Sequence, residues 1–343
     1  MIILYAVLTY SSLITEYSNI SPTQKTLQSQ GDIVFIVKNK HNIGVSSAEV
    51  AVKVFREIES EDFRVLNIIE SAMSKHEFVP TEQIQKYAKL PMDRIKFTLS
   101  KLHKLGLIYR TKGAYVGYTL NYAGYDCLAI NTLVKAGVID SFGQILGIGK
   151  EADVYDALNT DGKRIAVKFH RLGRISFRQT RRKRGYAREH STWLFQSHIA
   201  AEREFQAMQL VYKNGVSVPE PISHNRHVIA MGMIEGAELS KYNEIGKPEK
   251  ILKEILRNVR QAYLKAHVIH SDLSEYNVIL RPDGHILIID WPQYVMVDHA
   301  NAEELLERDI KNITTFFNRR FNLKVVVKDA CDYVTGKVGR VAS

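Results

Sequence analysis

Three polar side chains in the last third of the chain are of types that can act in catalysis or bind a metal ion. Asp272 and Asn277 stand five positions apart in a His270-to-Asn277 loop, and Asp290 ends the apolar strand pattern 286–289. Carboxylate and amide oxygens are ligands that Mg²⁺ prefers, and a loop carboxylate can orient a hydroxyl or a water. Phosphoryl transfer depends mainly on alignment and charge neutralisation. We therefore expect Asp272 to be catalytic and Asn277 and Asp290 to hold metal at nucleotide phosphates, with His270 structural.

A glycine-containing segment lies between two strand patterns at 145–155. Gly147 and Gly149 allow backbone N–H groups to approach phosphate, because glycine has no Cβ in the way. Taken alone, these glycines are equally typical of a hairpin turn. The next strand pattern, 165–167, leads to Lys168, where a lysine can reach the α- and β-phosphates. A lysine at a strand edge otherwise serves solubility, so the two features support each other.

A buried carboxylate is needed to hold such a lysine. In the helix pattern 197–213, Glu204 shares a face with Ala201, Met208 and Val211. Since an unpaired buried charge is costly, we predict a Lys168–Glu204 ion pair. Glu202 is the alternative, although its face carries glutamines and is typical of a solvated surface, and Glu204 itself could lie at a stripe edge that reaches water.

The region before these motifs has the pattern of a winged helix. Apolar stripes predict helices within 46–74, a short helix capped by Thr81, and a third helix from Pro91 in which Ile95, Leu99 and Leu102 share a face. Strands at 107–109 and 115–120 predict a wing, and 126–135 a closing helix. Exposed basic residues suggest nucleic-acid docking, with protein docking as the alternative; they are Arg94, Lys96, Lys101 and Lys104 on the third helix and Arg110 and Lys112 on the wing.

Five features follow one another in the order found in protein kinases: a glycine loop, a strand lysine, a helix glutamate, a catalytic loop and a strand aspartate. Three short motifs narrow the likeness: Gly-Lys-Glu at 149–151, His-Ser-Asp-Leu-Ser at 270–274 and Ile-Asp-Trp-Pro-Gln at 289–293. They resemble the Rio family of atypical protein kinases, and the winged helix resembles its second branch in a short, archaeal-type form. The resemblance covers roughly residues 46–325. It implies an α+β fold, in which a bilobal, protein-kinase-like (Rio) domain follows an N-terminal winged helix.

Further site residues follow from that resemblance alone. It places Lys150, Glu151 and Ala152 in the phosphate loop, and Met231, Gly232 and Ile234 in a hinge that contacts adenine. It also makes Asp290 a transient acyl-phosphate acceptor. Ala152 stands where the family usually has serine, so a phosphate contact is lost or replaced by a backbone N–H. No Ala-Pro-Glu motif follows Asp290 before the helix pattern at 302, which argues against a peptide-docking surface.

A strongly basic run occupies 171–188 and resembles the family's flexible loop. We expect it to bind RNA, to cover the nucleotide, or to do both. Charge runs are also typical of solvated, mobile insertions. Arg171, Arg181, Arg182 and Arg184 are among its cations.

Composition sets the remaining limits. The 343-residue chain carries a formal charge of +10, which suggests a polyanionic partner, and Cys127 and Cys331 match no metal-ligand spacing. The apolar run 1–8 is too short to span a membrane, so we expect a cytoplasmic protein.

We predict an N-terminal extension (1–45) that is poorly ordered or misassigned, with translation starting near Val45. The other predicted segments are a winged-helix domain (46–140), a Rio kinase domain (141–325, with lobes meeting near 234) and a tail (326–343).

The resemblance implies an ATP-dependent serine/threonine-type protein kinase or ATPase that uses Mg²⁺, with Mn²⁺ as a substitute. Its implied partners are small-subunit ribosomal precursors, through their rRNA and proteins, with no membrane partner. The rival hypothesis is a nucleic-acid-binding ribosome assembly factor that uses ATP only as a conformational switch. The sequence does not distinguish a monomer from an oligomer.

Overall fold

The computed structural model describes residues 46–113, 115–173 and 186–340. The predicted extension 1–45 and most of the basic run lie outside these ranges. The described chain divides into two compact units, residues 46–200 with 223–230 and residues 201–222 with 231–340. Within the described ranges, no helix is both long enough and apolar enough to span a membrane.

The first unit begins with a winged helix. Its core is built by the predicted stripes, because Leu66, Ile69, Ile95, Leu99 and Leu102 are all fully buried. The wing strands form a three-stranded sheet in the order β1–β3–β2. The elements are α1 (Ser47–Val54), a 3₁₀ turn (Phe55–Glu57), α2 (Ser60–Ala72), β1 (Val79–Pro80), α3 (Thr81–Ala88), α4 (Met92–Lys104), β2 (Ile108–Lys112), β3 (Val116–Leu120) and α5 (Tyr122–Lys135).

Two local predictions for this region are wrong in detail. Thr81 does not cap α3, whose N-cap is Pro80; its hydroxyl instead donates to the Val116 carbonyl of the wing at 3.2 Å. The closing helix starts four residues earlier than predicted, because Asn121 accepts a hydrogen bond from the Gly124 N–H at 3.0 Å and caps it there. In both cases a side-chain hydrogen bond that the apolar pattern does not reveal decides the role of the residue.

A five-stranded sheet follows, in the order β4–β5–β6–β8–β7. Its first three strands are antiparallel, with Val154 opposite Lys168. Lys168 therefore lies inside β6, two residues before its end, and not at the end of a strand as predicted. The strands are β4 (Ser141–Ile148), β5 (Ala152–Leu158), β6 (Arg164–His170), β7 (Pro221–Asn225) and β8 (Val228–Gly232), and α6 (Tyr186–Lys213) lies between β6 and β7 in the chain.

The second unit packs three helices beside short strands. Ile255, Ile310, Ile313 and Phe317 are fully buried at its centre. The predicted tail contains a helix that packs against α7 and α8. The elements are β9 (Ala237–Glu238), a 3₁₀ turn (Leu239–Lys241), α7 (Pro248–Gln261), a π turn (Ala262–Ala266), β10 (Val268–Ile269), β11 (Val278–Leu280), β12 (Ile286–Ile288), β13 (Val295–Met296), α8 (Ala302–Phe321) and α9 (Val327–Val334).

Candidate active site

The predicted catalytic loop connects β10 to β11 and exposes Asp272 to solvent. Ser271, the residue before it, has a φ of 59°, in the left-handed region that non-glycine residues rarely adopt. Three groups hold this conformation. The Ser271 N–H donates to Asp309 at 2.7 Å, its carbonyl accepts from Arg308, and its hydroxyl donates to the Gln293 carbonyl. Backbone strain that is fixed by its surroundings is typical of functional loops.

Helix α8 holds the catalytic loop in place through residues that were not predicted from the sequence. Asp309 is buried and also accepts from the Leu273 N–H at 3.0 Å, so one carboxylate holds the N–H groups on both sides of Asp272. Asn312 donates to the Leu273 carbonyl at 3.2 Å. Burial raises the pKa of Asp309 to about 7, although the two N–H donors act in the opposite direction.

His270 is structural, as expected. It is buried against Trp291, with ring centroids 4.5 Å apart. Its Nε2 donates to the Ile289 carbonyl at 3.0 Å, and its Nδ1 accepts from the Asp272 N–H at 3.3 Å. Burial lowers the pKa of His270, so the ring is neutral and this tautomer satisfies both nitrogens. The imidazole thereby joins the catalytic loop to the strand that precedes Asp290.

Asn277 and Asp290 are brought together by the β11–β12 hairpin. Val278 pairs with Ile288, and the Ile289 N–H donates to the Asn277 carbonyl at 2.9 Å, so Asn277 lies across from the residue before Asp290. The Asn277 amide nitrogen donates to the Asp272 carbonyl at 2.8 Å, which leaves its side-chain oxygen for a cation. Asp290 has a φ of 69° and ends the strand pattern there. An amide oxygen and a carboxylate fit Mg²⁺, which usually takes one or two protein oxygens together with phosphates.

The predicted phosphate loop lies in the first unit, where it connects β4 to β5. The Gly149 N–H donates to the Ala152 carbonyl at 2.7 Å and closes the hairpin, while Lys150 and Glu151 are exposed at its tip. A Cβ added at Gly147 would meet no atom within 4 Å, so this face of the strand is open. The loop geometry therefore leaves room for a ligand.

The two glutamates that could pair with Lys168 differ in burial. Glu204 is 2% exposed and Glu202 is exposed, and Ala201, Met208 and Val211 on the Glu204 stripe are buried. Lys168 is half-buried within β6. Lys168 and Glu204 belong to different units, and their pairing stays a prediction.

The predicted hinge residues lie where β8 ends, in the second unit. Met231 is buried, whereas Gly232 and Ile234 are half-buried. The Gly232 N–H donates to the Glu220 carbonyl at 2.8 Å. That N–H is therefore engaged by the protein, and contact with adenine through these residues stays a prediction.

Arg171, which was predicted to belong to the RNA-binding run, is instead a core residue. It is 2% exposed and forms a two-pronged pair with Asp126 of α5, Nη1 to Oδ1 at 2.8 Å and Nη2 to Oδ2 at 2.9 Å. Its Nε donates to Asp153 of β5 at 3.3 Å. A buried guanidinium needs such partners. The remaining cations of the run have side chains outside the described residues; they are Arg174, Arg178, Arg181, Arg182, Lys183, Arg184 and Arg188.

The surroundings of this pair form a buried ionic cluster, which consists of Asp126, Asp153, Arg171 and His227. The His227 Nε2 lies 2.6 Å from the Asp126 Oδ1. Burial alone would raise the pKa of Asp126, but Arg171 and His227 hold it below its usual value. Burial lowers the pKa of His227 to about 4, so this ring is neutral. The cluster joins the winged helix to the five-stranded sheet within the first unit.

The basic face predicted for helix α4 is partly neutralised. Lys101 is half-buried and its Nζ lies 2.6 Å from the buried Asp62, while Arg94 pairs with Glu61 at 2.7 Å. Lys96, Lys104 and Arg110 are exposed as predicted, and the Lys112 side chain lies outside the described residues. The helix therefore presents fewer free cations than its sequence suggests.

Comparison with known proteins agrees with this architecture. Residues 153–330 match the family model described as RIO domain, and residues 55–136 match the model described as Rio2, N-terminal. The chain is 39% identical over 274 residues to the RIO-type serine/threonine-protein kinase Rio2 of Methanocaldococcus jannaschii, covering 77% of this chain and 100% of that protein. The chain belongs to the Rio2 branch of the RIO kinase family.

Further Rio2 relatives extend the likeness. Serine/threonine-protein kinase rio2 of Dictyostelium discoideum is 38% identical over 272 residues, which is 79% of this chain but 52% of that protein, so the chain spans about half of its length. Among solved structures, the Rio2 kinase–ADP/Mg²⁺–phosphoaspartate complex of Chaetomium thermophilum matches with a TM-score of 0.73 at 34% identity. That match covers 84% of this chain and 90% of the other. The α+β Rio fold with a leading winged helix is thereby confirmed.

Proposed function

We propose that the chain is an ATP-dependent serine/threonine-type protein kinase or ATPase of the Rio2 type. The observation that carries this proposal is the catalytic-loop geometry, in which Asp272 is exposed on a strained, fully anchored turn. Asn277 is bonded to the Asp272 carbonyl at 2.8 Å, across the hairpin from the residue before Asp290. A loop used only for nucleotide docking would not need an anchored, solvent-facing carboxylate.

Each residue has a stated role in this proposal. Asn277 and Asp290 would hold Mg²⁺, which neutralises phosphate charge when bound. Asp272 accepts a proton from the attacking hydroxyl or water and orients it. Lys168, held by Glu204, and the loop residues Gly147, Gly149, Lys150, Glu151 and Ala152 would position the phosphates of ATP.

We also propose a second role for Asp290, which the Rio family resemblance implies. Its carboxylate oxygen attacks the γ-phosphorus of ATP, the bond to the β,γ-bridging oxygen breaks, and ADP leaves. Water then hydrolyses the acyl phosphate to free phosphate and restores Asp290. The Chaetomium Rio2 kinase described as a phosphoaspartate complex supports this step.

The biological process that we propose is maturation of the small ribosomal subunit, with precursor rRNA and proteins as partners, as the Rio family resemblance suggests. The alternative is an assembly factor in which ATP acts only as a conformational switch. The formal charge of +10 is compatible with both. The anchored Asp272 favours chemistry over a pure switch.

The deciding experiment measures ATP turnover with and without purified ribosomal precursor particles, together with phosphate trapping on the protein. Wild-type protein with Mg-ATP should yield an acid-stable, hydroxylamine-labile phosphate that is absent from Asp290→Ala. Replacement of Mg²⁺ by Mn²⁺ should support the same reaction. If tight ATP binding comes with neither turnover nor trapped phosphate, even with precursor particles present, the switch alternative replaces the enzymatic one.

A further inference from the structure

A groove of about 730 Å³ opens in the second unit beside the catalytic loop. One wall is the loop itself, with Ser274 and the exposed Tyr276 following shortly after Asp272. The other wall is helix α8. The proposed phosphoryl-transfer chemistry uses none of these lining side chains, so the groove has no assigned occupant.

Helix α8 presents two parallel rows of side chains to this groove. Lys311, Thr315 and Arg319 follow one another at intervals of four residues, as do Asn312, Phe316 and Arg320. Residues four apart lie on one face of a helix, so each row is continuous. The two rows thus line the groove with cationic, hydroxyl, amide and aromatic groups.

The charge of the groove selects an anionic ligand. Its lining contains three Lys or Arg residues and one carboxylate, Glu275. Lys311 and Arg319 are exposed and make no ion pair among the described residues. Arg320 is anchored, since its Nε donates to the Tyr242 carbonyl at 3.2 Å. Two free cations on one helical face, about 12 Å apart along the axis, match a ligand with repeated negative charges.

The aromatic side chains indicate which anion. Tyr276 is 61% exposed, next to the candidate metal ligand Asn277, where a large ring gains nothing from burial. Bases stack on exposed aromatic rings while nearby cations bind the backbone, which is the usual arrangement for single-stranded nucleic acid. An acidic peptide would need no such ring, and the segment after Asp290 lacks the Ala-Pro-Glu motif that accompanies peptide docking.

We propose that this groove binds a single-stranded RNA segment, with phosphates on Lys311 and Arg319 and a base stacked on Tyr276. This binding does not depend on phosphoryl transfer and is measured without nucleotide. The groove would hold RNA directly beside Asp272, so that bound RNA and the acceptor of the reaction share one surface of the second unit.

The test measures fluorescence anisotropy of a labelled oligouridylate of about ten nucleotides with the full chain, over a range of salt concentrations. The variant Lys311→Glu/Arg319→Glu should raise the Kd at least tenfold. It should also lower the slope of log K against log salt by about 1.4, as expected when two phosphate contacts to a single strand are lost. The matched control is Lys253→Glu/Arg257→Glu, which makes the same charge change on exposed residues of α7 outside the groove.

Stacking is tested separately. Tyr276→Ala should weaken binding about tenfold, whereas Tyr276→Phe should bind like wild type. Lys311→Gln/Arg319→Gln provides a milder pair should the reversal disturb folding, and its salt slope should fall in the same way. The proposal is wrong if both groove pairs match the α7 control in Kd and slope. It is also wrong if Tyr276→Ala binds normally while polyglutamate of equal charge displaces the RNA, because the groove would then be an acidic-peptide site.

Discussion

The catalytic loop and the buried ionic cluster differ in the exposure of their charged side chains. In the loop, Asp272 is kept in solvent, and the surrounding backbone is held by Asp309, Arg308 and Asn312. In the cluster, Arg171 and Asp126 are withdrawn from water and satisfy each other. Exposed, well-anchored charge is available to a substrate, whereas mutually paired buried charge stabilises structure. Charged residues of similar appearance in the sequence therefore have different functions.

The sharpest test of the loop is Asp272→Ala. Turnover should fall by about 10²–10⁴-fold, the scale of a positioned general base, while Mg-ATP affinity stays within a few-fold. Single-turnover kinetics beside titration calorimetry measures the two effects. Asp298→Ala, at an exposed aspartate of the same unit, is the control and should leave both unchanged. Wild-type turnover in Asp272→Ala would remove the catalytic assignment.

The corresponding test of the cluster is Arg171→Met. Removing one partner leaves Asp126 and Asp153 buried without their cation, so the free energy of unfolding should drop by about 3–5 kcal/mol. Arg94→Met, which breaks an exposed pair with Glu61, should cost about 1 kcal/mol or less. Urea denaturation of both variants compares them. Equal losses would mean that burial does not distinguish the two pairs.

Asp309→Asn tests whether the hydrogen bonds that Asp309 accepts from the catalytic loop position Asp272. An amide oxygen can accept from only one of the two N–H groups without placing its own N–H donors against the other. We expect about a tenfold fall in kcat with KM for ATP nearly unchanged, within the range of a misplaced catalytic group.

The pH dependence adds a readout that a merely structural residue would not give. The carboxylate form of Asp309 accepts both N–H groups, so wild-type kcat should rise as pH increases through about 7, and Asp309→Asn should lack this inflection. Stability has the opposite sign, because a pKa raised from 3.8 to about 7 in the folded state makes stability fall as pH rises between those values. An unchanged kcat profile in the variant would show that Asp309 does not control the loop.

The smallest effect is expected at His227. Its pKa is lowered from 6.5 to about 4 on folding, so the unfolded chain binds more protons and stability falls as pH drops from 6.5 toward 4. His227→Gln keeps an N–H donor for Asp126 but has no group that titrates in this range. Between pH 7 and 5.5 the free energy of unfolding of the wild type should therefore fall by about 1 kcal/mol relative to the variant, or its Tm by about 2–4 °C relative to the variant, whatever Asp309 contributes to both proteins. Parallel melting curves for wild type and variant would contradict the assignment.

Local patterns sufficed for part of the catalytic half. The strand that precedes Asp290, the helix that begins at 302 and the order of Asp272, Asn277 and Asp290 follow from short motifs and periodicity, and the burial of Glu204 follows from its stripe. Helices α7 and α9 and strand β11 were not predicted. Asp309 was missed although its signal was present. It shares a helical face with buried Leu306, Ile310 and Ile313, the same argument that selected Glu204.

The buried cluster could not be found in this way. Arg171 and Asp126 are 45 residues apart, and nothing in the pattern around either residue identifies the other. Arg171 begins a basic run and therefore looks like a surface cation. Lys101 was misjudged for a related reason, since its partner Asp62 belongs to a different helix. Pairings between distant segments depend on tertiary packing, which helix periodicity does not encode.

The buried cluster also determines which fragments of this chain are worth preparing. A kinase fragment that begins near residue 141 would lose Asp126. It would keep Arg171, which follows β6, with Asp153 as the one remaining carboxylate of the cluster. A winged-helix fragment ending near residue 140 would carry Asp126 without a cation. Cutting the chain there would separate the two members of one ion pair. The effects of deleting the winged helix would then reflect misfolding of the kinase fragment as well as loss of docking. Point substitutions on the winged-helix surface avoid this confusion.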